Sequence, residues 1–160
     1  DPAASFYPPA IGKLGDDLQR MIVVHPANGG DALWALEQSL RCRGVAVVVC
    51  RLGQAFEREL HHHAYRRLQL AAETGGAIGL LLRPARYRVH PTWADVRLLV
   101  EPLPTVNSSK GRQLQVELIH CRGRNCGGIV TLEIDDETGD VRLASGLATA
   151  TNPVRRAAGA

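Results

Sequence analysis

Two β-branched runs separated by one amphipathic stretch constrain this chain more than any other feature of its sequence. Met21-Ile22-Val23-Val24 leads into a polar turn, His25-Pro26-Ala27-Asn28-Gly29-Gly30; a helical pattern over 31–43 and the run Val45-Ala46-Val47-Val48-Val49-Cys50 follow. Both runs are apolar at consecutive positions, the pattern of strands covered by helices on both faces. Between them Asp31 is placed to cap a helix, with Ala32, Leu33, Leu36 and Leu40 returning at helical spacing and Gly44 ending it. The segment reads as one βαβ unit, whose connection is right-handed in nearly all such units.

The pattern continues downstream. After a turn over 51–54, Phe56, Leu60, Ala64, Leu68 and Ala71 lie three or four apart and predict a second helix over 55–74, stopped by Gly75-Gly76. Ala77-Ile78-Gly79-Leu80-Leu81-Leu82 predicts a third buried strand. Strands alternating with helices of this length indicate an α/β sheet with parallel strands and helices on both faces. Beyond residue 83 the period changes from helical to twofold. Val96/Leu98/Val100, Leu114/Val116/Leu118 and Val130/Leu132/Ile134 alternate along their segments, and a Gly-containing turn over 135–140 leads into Val141-Arg142-Leu143. These predict an antiparallel β-meander that extends one edge of the parallel sheet. Residues 1–15 read as an irregular lead-in with a short helix around 10–14. Residues 144–160 read as a disordered tail, small, polar and interrupted by proline.

At 160 residues, 45% of them hydrophobic, the chain suffices for one domain with a real core. Its net charge of +3 admits an acidic partner such as nucleic acid without requiring one. No apolar run is long enough to cross a membrane, and four cysteines in an ordinary globular composition point to a reducing compartment, hence a cytoplasmic protein. The sequence starts at Asp1 without an initiator Met, so the expectation is a chain truncated at its N-terminus.

The loop Arg83-Pro84-Ala85-Arg86-Tyr87-Arg88-Val89-His90 carries the strongest functional pattern. Cations interleaved with an aromatic ring can neutralise phosphates and stack a base of single-stranded DNA. The loop also follows a parallel strand, where open α/β sheets place their binding loops. A second basic turn, with Arg122 and Arg124, is a candidate contact for a partner or a phosphate. Other patterns read as structure. His61-His62-His63 cannot converge on one metal ion from a helix, because successive residues point about 100° apart. Cys121 and Cys126 bracket the second turn without two further ligands nearby, and Cys42 and Cys50 read as small hydrophobes. Glu57, Glu59 and the acidic run 135–137 read as solvated charges, and Trp34 and Trp93 as packing residues. No spacing supports a nucleophile–histidine pair.

Four blocks in serial order carry a resemblance: Asp31-Ala32-Leu33-Trp34-Ala35-Leu36-Glu37-Gln38, Arg66-Arg67-Leu68-Gln69-Leu70-Ala71-Ala72-Glu73, Leu81-Leu82-Arg83-Pro84 and Arg97-Leu98-Leu99-Val100. With the order of elements, they make the chain resemble the RecA-like ATPase core, and within it the ImuA family of bacterial translesion DNA synthesis, over 1–143. The resemblance implies a partial RecA-like core over 1–143, a role in the DNA-damage (SOS) response, and recombinase (RecA) and Y-family polymerase-like partners. It leaves room for oligomerisation. It also implies a DNA-binding loop at the place of Arg83–Arg88, although this loop is shorter and less glycine-rich than the family's. The chain departs from the pattern where ATP would bind. No G-x-x-x-x-G-K-[ST] occurs, Gly12-Lys13 lacks its context, and Cys50-Arg51 stands where a metal-holding Asp is expected. The reading is therefore a non-catalytic accessory protein without cofactor. The alternative is a DNA-dependent ATPase of recombinase type that would bind ATP and Mg²⁺ through a phosphate loop upstream of Asp1. Nothing in 1–20 supplies the central strand that precedes such a loop, so the chain alone is expected to aggregate or fold only partly.

Overall fold

The structure, a computed structural model, describes Gly12 and residues 18–53, 60–90, 92–104, 111–124 and 126–144. It is a mixed α/β protein in two compact units, Ile22–Ala94 on the one hand and Asp1–Met21 with Asp95–Ala160 on the other.

The first unit runs α1 (Gly29–Arg41), β1 (Val47–Arg51), α2 (His62–Gly75) and β2 (Ile78–Leu82). β1 and β2 pair in parallel, from Val47 against Ile78 to Arg51 against Leu82, so β1–α2–β2 forms the βαβ unit. α1 starts one turn earlier than its pattern suggests. Asn28, not Asp31, is the N-cap: its Oδ1 accepts from the Asp31 backbone N–H at 2.9 Å, and its side-chain amide donates to the Asp31 carboxylate at 2.8 Å. Asp31 thus sits inside the first turn, where a negative charge complements the helix dipole.

Residues 21–24 form no strand. Their backbone is irregular, and Ile22 is 84% exposed, with Val23 and Val24 also exposed. A β-branched run has only a propensity for extended structure and needs a partner's N–H and C=O groups in register to become a strand. The two-stranded sheet pairs only β1 with β2, so that partner is not present among the described residues.

The core lies on one side of β1–β2. Leu36 and Leu40 from α1, and Ala64, Tyr65, Leu68 and Ala71 from α2, cluster with Leu52, Leu60 and Ala77, and Val48, Cys50 and Leu81 pack against them. The opposite positions, Val47, Val49, Ile78, Leu80 and Leu82, are exposed. Among the described residues, the expectation of helices on both faces is thus met on one face only. α1 and α2 touch closely because of Gly75: a Cβ there would lie 2.0 Å from the Leu40 carbonyl oxygen. Gly76 then ends α2 in the left-handed region at φ +76°, its N–H donating to the Ala72 carbonyl at 2.8 Å. Inside the helix pair, Glu37 is 3% exposed and receives both Arg41 Nη2, at 2.6 Å, and Arg67 Nη2. Two half-exposed guanidiniums on one buried carboxylate offset its desolvation. Phe56, Glu57 and Glu59, placed by periodicity in α2, lie outside the described residues, and the described helix begins at His62.

The second unit is an antiparallel meander, β3 (Val96–Leu103), β4 (Gly111–Cys121), β5 (Ile129–Asp135) and β6 (Val141–Leu143), in the order β3-β4-β5-β6. Among the described residues it forms a sheet of its own and not the expected extension of the parallel one. Registers such as Val100 against Val116 against Val130 line one face with Leu98, Val100, Leu114, Val116, Leu118, Val130, Leu132, Ile134, Val141 and Leu143. The other face carries Gln113, Gln115, Glu117, Thr131 and Glu133, with Leu99 buried among them at 8% exposure. A bulge between Arg97 and Leu98 shifts the β3–β4 register. The Asp135 turn is held by its own carboxylate, which accepts from the backbone N–H of Glu137 and Thr138, so this acidic run builds a turn. Apart from Gly12, the expected lead-in over 1–15 lies outside the described residues, as does the tail beyond Ala144.

A candidate nucleic-acid-binding turn

β2 ends at Leu82, and the chain then makes a single 3₁₀ turn, Ala85–Tyr87, entered through Pro84 at φ −58°. Tyr87 and Arg88 donate their backbone N–H groups to the carbonyls of Pro84 and Ala85, each at 3.0 Å, and His90 donates to Tyr87 at 3.0 Å. This tight winding gathers Arg83 and Arg86 around one ring. The Arg83 guanidinium lies 4.9 Å from the Tyr87 ring centroid and 5.6 Å from that of Tyr65, and the Arg86 guanidinium lies 4.8 Å from Tyr87. His90 meets Tyr87 edge-on at 5.2 Å. Arg86, Arg88 and His90 are exposed, and Arg83 and Tyr87 are half-buried. Cations over aromatic faces contribute about 0.5–1 kcal/mol at such sites and restrict otherwise mobile side chains.

The geometry redistributes roles within the sequence pattern. Tyr87 holds two guanidiniums over its ring, so it acts first as the support that positions Arg83 and Arg86. Tyr65, 9% exposed in α2, anchors Arg83 from below and was not singled out by sequence; its only signal was an aromatic residue among small core positions. A neighbouring cluster was also missed. Trp93 donates its indole N–H to His62 Nε2 at 3.2 Å and meets the imidazole edge-on at 5.3 Å, while the Arg66 guanidinium lies 5.0 Å from the indole ring. Trp93 is thus the packing residue expected, although Trp34 is 65% exposed.

The second basic turn, in the other unit, is built differently. Arg122 Nη1 pairs with Asp95 Oδ1 at 2.9 Å and its backbone N–H donates to the Asp95 carbonyl at 2.8 Å, fastening the end of β4 beside the start of β3. The Arg124 side chain is exposed. At the carboxyl end of β1, Cys50 faces the core and Arg51 faces outward. Burial pushes the Cys50 thiol up to about 11, so it stays protonated through neutral pH. Among the described residues no three His, Cys, Asp or Glu side chains gather as a metal site, and no helix is long and apolar enough to cross a membrane. No protein-family model matches this sequence, and no curated protein matches it.

Proposed function

We propose that the chain is a non-catalytic, RecA-like accessory protein of the bacterial DNA-damage response that works through protein partners and holds single-stranded DNA at Arg83, Arg86, Tyr87 and Arg88. The DNA-damage context rests on the four sequence blocks that resemble the ImuA family. The DNA contact rests on one observation, the gathering of Arg83 and Arg86 over Tyr87 at the carboxyl end of a parallel strand. Guanidiniums held on a ring lose less freedom when they meet phosphate, and their forked N–H groups match its oxygens. The non-catalytic reading rests on Cys50 and Arg51, since a neutral thiol and a cation are poor partners for a nucleotide-bound Mg²⁺.

The test is binding of a fluorescent oligothymidylate to the chain across a salt series. The logarithm of affinity falls with the logarithm of salt by about 0.7 per phosphate contact. Changing Arg83, Arg86 and Arg88 together to Ala should flatten that slope by up to about two units. Tyr87→Phe should keep most of the affinity, whereas Tyr87→Ala should lose about 1 kcal/mol as the arginines lose their support. Equal slopes for wild type and triple variant would refute the contact. Mg²⁺-dependent ATP turnover by the purified chain would replace this reading with the recombinase-type ATPase.

A further inference from the structure

Cys121 closes β4 and Cys126 lies beyond the turn that follows, with Arg122, Gly123, Arg124 and Asn125 between them. The turn folds the second sulfur back onto the first residue. The Cys121 backbone N–H donates to Cys126 Sγ at 3.2 Å, and that thiol in turn donates to the Arg124 carbonyl at 3.8 Å. Two backbone bonds fix the return path: Gly127 N–H to the Leu118 carbonyl at 2.8 Å, and Leu118 N–H to the Gly128 carbonyl at 2.9 Å. The Arg122–Asp95 pair holds the other arm. Cys126 is exposed, Cys121 is half-buried, and both are free thiols.

A disulfide spans about 5.5–6 Å between Cα atoms. A sulfur that already touches its partner's backbone nitrogen brings the pair within reach of that span. Closing the bond gives up the Cys121 N–H···S contact and the thiol's hydrogen bond to the Arg124 carbonyl.

We propose that Cys121 and Cys126 form a redox-active dithiol that closes into a disulfide around the basic turn carrying Arg122 and Arg124. The co-reactant is a low-molecular-weight disulfide such as oxidised glutathione. The exposed Cys126 sulfur, having lost its proton to water, attacks one glutathione sulfur, and the glutathione S–S bond breaks to release one thiolate. The Cys121 sulfur, likewise deprotonated, attacks Cys126 Sγ and expels the second glutathione thiolate. Both thiolates take up the released protons, so two protein thiols are oxidised by two electrons while one glutathione disulfide is reduced to two thiols. The ring so formed confines the backbone of residues 121–126 and fixes where Arg124 projects. This device is independent of the DNA contact at Arg83–Arg88, which lies in the other unit.

The experiment equilibrates the complete, reduced chain with glutathione buffers of rising oxidised fraction, quenches with iodoacetamide and maps each cysteine by peptide mass spectrometry. Cys121 and Cys126 should lose alkylation together, in a single transition, and appear as one cross-linked peptide that reduction restores. In Cys121→Ser the Cys126 peptide should instead carry glutathione. Wild-type chain in which Cys126 accumulates as a glutathione adduct while Cys121 stays alkylatable would overturn the proposal. A Cys126 cross-link to Cys42, Cys50 or a second copy in place of Cys121 would overturn it as well.

Discussion

The helical unit and the meander are both rich in aliphatic residues, yet they hide them very differently. Of the buried apolar residues described, Leu36, Leu40, Leu52, Leu60, Ala64, Tyr65, Leu68, Ala71 and Ala77 belong to the helical unit, and Leu99 alone to the meander. The meander sorts its side chains well: ten aliphatic residues share one face, yet Leu98, Val100, Val130, Val141 and Leu143 on it are exposed. Alternation decides which face a side chain takes, but burial needs a second layer, and β1–β2 has one in α1 and α2. The exposed face of β1–β2 itself, with Val49 and Ile78, shows the same rule within one unit. Stability should therefore be concentrated where helix meets sheet.

The comparison is most directly broken by truncation on each side. Leu40→Ala, at a site 2% exposed, should cost about 2–5 kcal/mol in chemical denaturation, because it removes contacts and leaves a void. Leu143→Ala, at a site 70% exposed, should stay within about 0.5 kcal/mol. An equally large loss at Leu143 would mean that the apolar face of the meander is covered in solution.

Next in size is the helix contact. Gly75→Ala places a methyl against the Leu40 carbonyl and the Arg41 backbone, which cannot swing away as a side chain would. The helices must part, at about 1–3 kcal/mol, with a lower midpoint of the helical circular-dichroism signal. An unchanged midpoint would show that α1 and α2 sit less tightly than described.

Ion pairs should follow the same division on a smaller scale. Arg67→Ala leaves the buried Glu37 carboxylate with Arg41 alone and should cost about 1 kcal/mol, discounted because Arg67 is itself half in water. Arg112→Ala breaks a pair with Asp136 whose members are both exposed, and should cost at most about 0.5 kcal/mol. Equal losses would remove the distinction between the units' electrostatics.

A last effect concerns Cys50 and shows only at alkaline pH. Burial raises its thiol from 9.0 to about 11. The unfolded chain therefore gives up this proton at lower pH than the folded one. The stability linked to the neutral thiol is complete below pH 9.0 and is lost as pH rises toward about 11. Cys50→Ala should flatten the alkaline decline of stability, and in the native wild-type protein Cys50 should react with iodoacetamide more slowly than the exposed Cys42 and Cys126. Faster reaction at Cys50 would show that β1 opens readily.

Much of this architecture was legible in the residues. The apolar spacing of Leu36 and Leu40, the stop at Gly75-Gly76, the run Leu80-Leu81-Leu82 and the alternation of Val96, Leu98 and Val100 each encode a local conformation that their own chemistry favours. The basic turn was legible for the same reason, since Pro84 and its flanking arginines are neighbours in sequence. What escaped were relations between distant residues. Tyr65 beneath Arg83, His62 against Trp93 and Arg67 on Glu37 join residues far apart in sequence, and no periodicity reports them.

The contrast between 21–24 and 47–50 isolates the reason. Met21-Ile22-Val23-Val24 and Val47-Val48-Val49-Cys50 have nearly the same propensity for extended structure, and the sequence by itself determined no more than that. Only the second became a strand, because β2 lies alongside it with N–H and C=O groups in register and the helices cover one of its faces. Composition and spacing fix what a segment can do with its nearest neighbours. Which backbone lies beside it, and which of its faces leaves water, is decided by the packing of elements far apart in the chain.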